Sequence, residues 1–234
     1  MSSFKNIKVW VLAPSLITND SNIDYYYDFS QSIEEYTRVF AELKIDWQWQ
    51  PVTINNYKSI IDNIALSNEK NPLVFNLCDG DEVNGTPGIS IIQYLKKKKL
   101  AFTGADEYFY NITTSKVPMK KAFDACGVAT PKWISIKQKN QSLDAVFEEL
   151  GTPIIVKPAV SGGSMGVGVK NVVHTKEQLQ QLVNDMFDGY RGWQLAVDGI
   201  IAEQFIDGPE FTSMIVGSFD NEEKAKIYLP VERV

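Results

Sequence analysis

Short apolar runs alternate with amphipathic stretches through the first half of the chain, the pattern of an α/β layered fold. Ile7-Lys-Val-Trp-Val-Leu-Ala13 reads as a buried strand, ended by Pro14 and the polar stretch Thr18 to Asn22. Ile33, Tyr36, Phe40 and Leu43 then recur at three- and four-residue steps, which puts them on one face of a helix starting near Asp28 or Ser30. Trp47 to Ile54 predicts a second strand, and Tyr57, Ile60, Ile61 and Ile64 mark a second amphipathic helix. Pro72 to Leu77 is a third strand, running into Cys78-Asp-Gly-Asp-Glu-Val-Asn-Gly-Thr-Pro-Gly88, a loop dense in breakers and polar side chains. A third helix over about Ile89–Lys98 and a strand around Leu100–Thr103 complete an open parallel sheet. Such sheets hold ligands beyond the carboxyl ends of their strands, so Asp79, Asn84, Gly85 and Thr86 are candidate substrate contacts. The loop also fits a plain surface connection with good turn chemistry.

The pattern changes near Gly104. A helix is expected over Ser115 to Cys126, stopped by Gly127 at C′ and then by Pro131. Trp133–Lys137 is a strand, and Leu143, Val146, Phe147 and Leu150 form another helix, closed by Gly151. Strands follow at Ile154–Pro158 and Val167–Val173. Thr175 and Gln178 are spaced as a capping box ahead of Leu179, Leu182, Val183 and Met186. The rest reads as antiparallel β: Gly199–Phe205, Glu210–Phe219, a turn at Asp220-Asn-Glu-Glu, then Ala225–Val231. No internal repeat or low-complexity segment interrupts this order.

Composition narrows the function classes. The 234 residues are 44 % hydrophobic and 22 % charged, ordinary globular usage with length for one or two domains. With 23 Lys+Arg against 29 Asp+Glu, the net charge of −6 argues against nucleic-acid binding, which needs clustered cations. Apolar runs stop at about five residues, as at Val9–Ala13, far short of a membrane helix. The start, Met1-Ser-Ser-Phe-Lys, lacks a signal peptide's apolar stretch, so a cytoplasmic location is expected. Two cysteines are too few for a disulfide scaffold or a structural zinc site. Cys126, ending an apolar helix face, is read as a buried, inert thiol, and Cys78, at a strand end facing the cleft, as open to exposure.

The stretch richest in chemistry is Lys157-Pro-Ala-Val-Ser-Gly-Gly-Ser-Met-Gly-Val-Gly168. Its glycines and serines suit a loop whose backbone amides cradle phosphate oxygens, with Lys157 as a fixed cation on the strand before it. Val169 stands where a P-loop needs lysine, and no G-x-G-x-x-G can be read, so neither phosphate fingerprint applies. A flexible hairpin turn explains the same glycines. Further on, Ile200-Ile-Ala-Glu-Gln-Phe-Ile-Asp-Gly-Pro-Glu-Phe-Thr212 leads a strand into a tight turn, offering adenine both backbone edges and an apolar wall. Glu203 and Glu210 suit the amino group and ribose hydroxyls, which donate hydrogen bonds. Taken alone, both read as surface carboxylates on an edge strand. Lys96–Lys99 reads as a solvated helix end meeting the macrodipole, and Tyr25 to Phe29 as aromatics that line the cleft or pack on the first domain.

Six segments in this order resemble the ATP-grasp superfamily, and specifically its D-alanine–D-alanine ligase-like branch. They are Asn84-Gly-Thr-Pro-Gly, Phe102-Thr-Gly-Ala, Thr114-Ser-Lys, Gly127-Val-Ala-Thr-Pro, Ile154-Ile-Val-Lys-Pro with its glycine-serine loop, and Ile201-Ala-Glu-Gln-Phe-Ile-Asp-Gly-Pro-Glu-Phe-Thr. The resemblance implies that Lys116 and Lys157 contact nucleotide phosphates, under a lid of Ser161, Gly162, Gly163, Ser164 and Gly166. It makes Glu203, with Gln204, Phe205 and Ile206, the adenine site and gives the ribose to Glu210. The implied activity is an ATP-dependent carboxylate–amine ligation through an acyl phosphate, with a non-catalytic nucleotide- or ligand-binding module as the alternative. The implied architecture is a Rossmann-like domain over residues 1–104, a central ATP-grasp subdomain over 105–198, and the start of a third over 199–234.

This chain departs from the pattern in three places. Gly163-Ser164 replaces a serine pair, Cys78-Asp-Gly replaces a histidine-glycine pair, and the first loop lacks the usual acidic signature, although Asp20, Asp24 and Asp28 are present. The single histidine, His174, is read as structural, on the strand after the lid. The substrates stay open, a related amino-acid or peptide ligase fitting as well as a D-alanine ligase. The resemblance also implies Mg2+ held by segments that follow Val231-Glu-Arg-Val234, so the chain as given is expected to be incomplete, to bind nucleotide poorly and not to turn over. Glu232 and Arg233 read as a solvated pair, and a homodimer is the usual assembly in the resembling ligases.

Overall fold

The computed structural model describes residues 6–23, 27–67, 71–162, 165–218 and 221–233. It divides into two compact units, Met1–Gln204 and Phe205–Val234. The first opens on a parallel sheet of β1 (Ile7–Pro14), β2 (Asp46–Val52), β3 (Asn71–Asn76) and β4 (Ala101–Phe102), in the order β2-β1-β3-β4. Its helices are α1 (Ser30–Leu43), α2 (Tyr57–Leu66) and α3 (Ile89–Lys97). β1 and β3 are covered on both faces, which is why they read as near-continuous apolar runs. Leu12, Val52 and Val74 pack with Ile61 and Ile64 of α2 and Ile91 and Leu95 of α3. Val9 and Val11 pack with Phe40 of α1, bordered by Tyr36, Trp47, Trp49 and Phe75.

The same unit continues through α4 (Glu107–Thr113) and α5 (Lys116–Ala125) into an antiparallel sheet. That sheet has the order β5-β8-β6-β7, from β5 (Trp133–Ile136), β8 (Ile200–Gln204), β6 (Ile154–Pro158) and β7 (Val172–Val173). With α6 (Val146–Leu150) and α7 (Lys176–Asp188) it closes over a core of Ile136, Val146, Leu150, Ile154, Val156, Leu179, Val183 and Ile200. Leu16, Ile23 and Tyr27 of the first loop pack against this second core. The second unit holds two antiparallel pairs, β9 (Glu210–Thr212) with β12 (Val231–Arg233), and β10 (Ile215–Ser218) with β11 (Asn221–Ile227).

The expected helix and strand order holds through β6, with one addition. Helix α4 was not legible because it has no buried side chain and so no apolar stripe. Gly127 is the C′ residue of α5, with φ +69°, and Val128 donates to the Phe123 carbonyl at 2.9 Å. The capping box is half-formed: Thr175 accepts from the Gln178 amide at 3.3 Å, but the Gln178 side chain turns back to the His174 N–H at 2.7 Å.

Four expectations are corrected. Val167–Val173 is not one strand: a 3-10 turn fills Val169–Asn171 and only Val172–Val173 pairs with β6. His174 therefore lies past β7, exposed. The run Glu210–Phe219 breaks into β9 and β10, and residues 221–223, read as a turn, already belong to β11. The cysteines exchange environments, Cys78 being 2 % exposed and Cys126 exposed. The Cys78 thiol donates to the Leu12 carbonyl at 3.7 Å, and burial, then the Asp79 charge, pushes its pKa up to about 12. It is inert as a nucleophile. Cys126 caps the C-terminus of α5, where the end of the helix is open to water. Phe219, Asp220, Asp24, Tyr25, Tyr26, Gly163 and Ser164 lie outside the described residues.

Candidate functional site

Two lysines pair with one buried carboxylate, and a third lies close enough to feel its charge. Glu203 lies on β8, which runs between β5 and β6, so its side chain is 6 % exposed rather than on an edge strand. Lys120 of α5 pairs with it at 2.7 Å, and Lys157 of the neighbouring β6 pairs with its other oxygen. Burial works to raise the Glu203 carboxyl, but the hydrogen bonds from Lys120 and Lys157 outweigh it and hold the pKa below the usual glutamate value. Lys116, one turn before Lys120, donates to the Ser161 hydroxyl at 3.0 Å and to the Ser161 carbonyl at 3.3 Å. Burial, then repulsion from Lys157, lowers the Lys116 pKa to about 8 despite the pull of Glu203. Lys120 was missed by the sequence reading. Its spacing of four from Lys116 on one helix was the signal that put both on one face.

Several contacts fix these groups. Ser115 caps α5, accepting from the Val117 amide at 3.3 Å while its hydroxyl donates to Asp198 at 2.5 Å. The Lys116 amide donates to the Ala159 carbonyl at 2.8 Å, tying the helix start to the glycine loop. Asn171, fully buried, pins that loop by donating to the carbonyls of Val156 and Gly166, both at 2.8 Å, and accepting from the Gly168 amide at 2.8 Å. Gly166 has φ +72°, a conformation that favours glycine. Gly162 and Gly168 face open space on their Cβ side.

A cavity of about 590 Å3 lies beside this cluster. Ser161, Gly162, Asp79, Asn84 and Thr86 all line it, as do Tyr27, Phe29 and Trp193. The loop after β3 is held closed by its own side chains. Asp81 accepts from the Asn84 amide at 2.8 Å, the Asn84 carboxamide at 2.7 Å and the Thr86 hydroxyl at 3.2 Å. Glu82 accepts from the Ser90 amide at 2.7 Å, Tyr110 donates to the Gly80 carbonyl, and Gly85 takes φ +79° at the turn. The Asn84 side chain also exchanges hydrogen bonds with the Gln194 backbone, at 2.8 and 3.2 Å. Asp20 of the first loop, 8 % exposed, accepts from the Trp193 indole at 2.8 Å.

The structure thus gathers Lys116, Lys157, Ser161 and Glu203, and brings Ser161 and Gly162 onto one cavity with Asp79, Asn84 and Thr86. Gln204 ends β8 with its side chain exposed and its amide donating to the Lys132 carbonyl at 2.9 Å. Phe205, Ile206 and Glu210 fall in the second unit, where Glu210 faces Arg233 at 3.7 Å. Three ammonium groups against one carboxylate leave excess positive charge beneath a glycine loop, a donor set suited to a polyanion.

The chain is similar to several known proteins. The family model described as the D-ala D-ala ligase C-terminus matches residues 122–234. The D-alanine–D-alanine ligase of Cupriavidus taiwanensis is 32 % identical over 141 residues, 60 % of this chain and 38 % of that protein. The chain therefore spans less than half the length of this curated relative. D-alanyl-alanine synthetase A from Vibrio cholerae superposes with a TM-score of 0.66 at 16 % identity, over 98 % of this chain and 68 % of that one. The D-alanine–D-alanine ligase from Bacillus anthracis complexed with ATP gives a TM-score of 0.60 at 17 % identity, over 97 % and 70 %. Over residues 122–234 the sequence thus matches the D-ala D-ala ligase C-terminus, and the fold is similar to that of the D-alanine–D-alanine ligases.

Proposed function

We propose that the protein is an ATP-dependent carboxylate–amine ligase acting through an acyl phosphate. The observation that carries this reading is the cluster of Lys116, Lys120 and Lys157 around Glu203, beside the glycine loop and next to a cavity large enough for small organic substrates. Lys116 and Lys157 hold the triphosphate, with Ser161, Gly162 and Gly166 of the loop beside it. Glu203 and Gln204, at the end of β8, take the adenine. Bound ATP supplies the phosphoryl group that activates a substrate carboxylate, and the chain's own residues position and screen it.

Among the described residues no group of three His, Cys, Asp or Glu side chains could hold a metal ion. The ATP-complexed relative and the curated ligases support nucleotide use by this family. No described helix is long and apolar enough to cross a membrane.

ADP release tests the reading. Protein expressed from its complete reading frame is supplied with ATP, magnesium and a panel of amino acids. ADP formation that depends on a pair of amino acids is expected. Saturable ATP binding with no substrate-dependent ADP release would instead favour the non-catalytic module.

A further inference from the structure

We propose that the cavity selects an α-amino acid with an aromatic or bulky apolar side chain, its ammonium group held by Asp79 and its side chain set against Phe29 and Tyr36. This rests on the ligase reading and names the substrate class of that same site.

The charge accounting singles out Asp79. Asp20 is taken by the Trp193 indole, the Asn22 amide at 3.0 Å and Arg191 at 3.8 Å. Asp28 accepts from the Ser30 amide at 2.9 Å, Asp81 is saturated by Asn84 and Thr86, and Glu82 binds Ser90 at both oxygens. Asp79 lines the cavity, and no other described residue donates a hydrogen bond to its carboxylate or forms an ion pair with it. The protein around it raises its pKa by desolvation, with no cation to oppose that. The phenol of Tyr27 lies close by: burial, then the charges of Asp79 and Asp81, push its pKa up to about 12, so it stays neutral. A ligand ammonium is the charge this carboxylate lacks.

The other wall is apolar and braced. Phe29 and Tyr36 both line the cavity. Phe29 packs on Trp49 with ring centroids 5.4 Å apart, and Tyr36 packs on Phe75 at 5.5 Å and Trp49 at 6.2 Å. Rings buttressed from behind hold a fixed surface, which rewards a side chain large enough to cover it. A methyl group would leave most of that surface wet. Ser161 and Gly162 line the same cavity, so a bound amino acid lies beside the loop that Lys116 touches.

Calorimetric titration with D- and L-phenylalanine, D- and L-alanine and N-acetylphenylalanine tests the proposal, with ATP titrated in parallel. Phenylalanine of one hand is expected to bind about tenfold or more tighter than alanine, in line with the burial of a large apolar side chain. N-acetylphenylalanine, which lacks the ammonium, should bind at least about tenfold more weakly, as should phenylalanine to Asp79→Asn. The acetylated ligand keeps the charge test independent of how that variant folds. Alanine binding as tightly as phenylalanine, equal affinity for the acetylated ligand, or ATP binding with no amino-acid binding would each overturn this inference while leaving the nucleotide site standing. Phenylalanine binding of the expected pattern without ATP binding would sustain it and count against the ligase reading instead.

Discussion

Glu203 and Lys116 show how single residues are set by what surrounds them. A buried carboxylate survives in the antiparallel sheet only because two ammonium groups neutralise it. Glu203→Gln leaves Lys120 and Lys157 without their counter-charge, and a loss on the order of 3 kcal/mol is expected in denaturant unfolding. The sign with pH follows from the lowered Glu203 pKa: its stabilisation is present above the unfolded value and is lost as pH falls through the folded one. Lys116 behaves in the opposite sense. Its pKa of about 8 means that its charge is disfavoured in the folded chain, so stability rises as pH climbs from about 8 toward the ordinary lysine value. Anion binding needs the charged form and weakens over the same range. ATP affinity should fall about tenfold between pH 7 and pH 9, and Lys116→Arg should remove most of that dependence. A flat profile in the wild type would show that Lys116 does not face the nucleotide.

At the level of elements, the glycine loop depends on a residue outside it. Asn171 holds both ends of the loop with three hydrogen bonds from a fully buried position. Asn171→Ala strands those backbone groups and should cost about 2 kcal/mol or more in chemical unfolding. Gly166→Ala forces a side chain into φ +72° against Leu195, 3.3 Å away, and should weaken ATP binding by distorting the loop. The sequence made β1 and β3 plain because each is buried on two faces and shows as an apolar run. It misled over Val167–Val173, where the valines suggest a strand. Val169 is 93 % exposed there, and the local path is set by glycines and by Asn171. Helix α4 escaped because Tyr108 and Phe109 point to solvent, leaving no periodic buried face to detect. The lysine pair at 116 and 157 was legible from motif order. The depth of Glu203 was not, since burial of a carboxylate depends on strand order, which no local pattern encodes.

At the scale of the first unit, two hydrogen-bonded ties join loops of the parallel sheet to the segment before β8: Asp20 with Trp193, and Asn84 with Gln194. They border the cavity that carries Asp79 and the glycine loop. Trp193→Phe keeps the ring packing but removes the indole donor, and it should raise hydrogen exchange of amides in residues 14–23 with little change in β1. The account stands on the lysine cluster being a nucleotide site. Calorimetric titration of ATP into wild type, Lys116→Ala and Lys157→Ala, each expressed from the complete reading frame, tests it most directly. Saturable binding by the wild type, weakened at least about tenfold by either substitution, is predicted. Equal affinity in all three proteins, or no binding by the wild type, would contradict it.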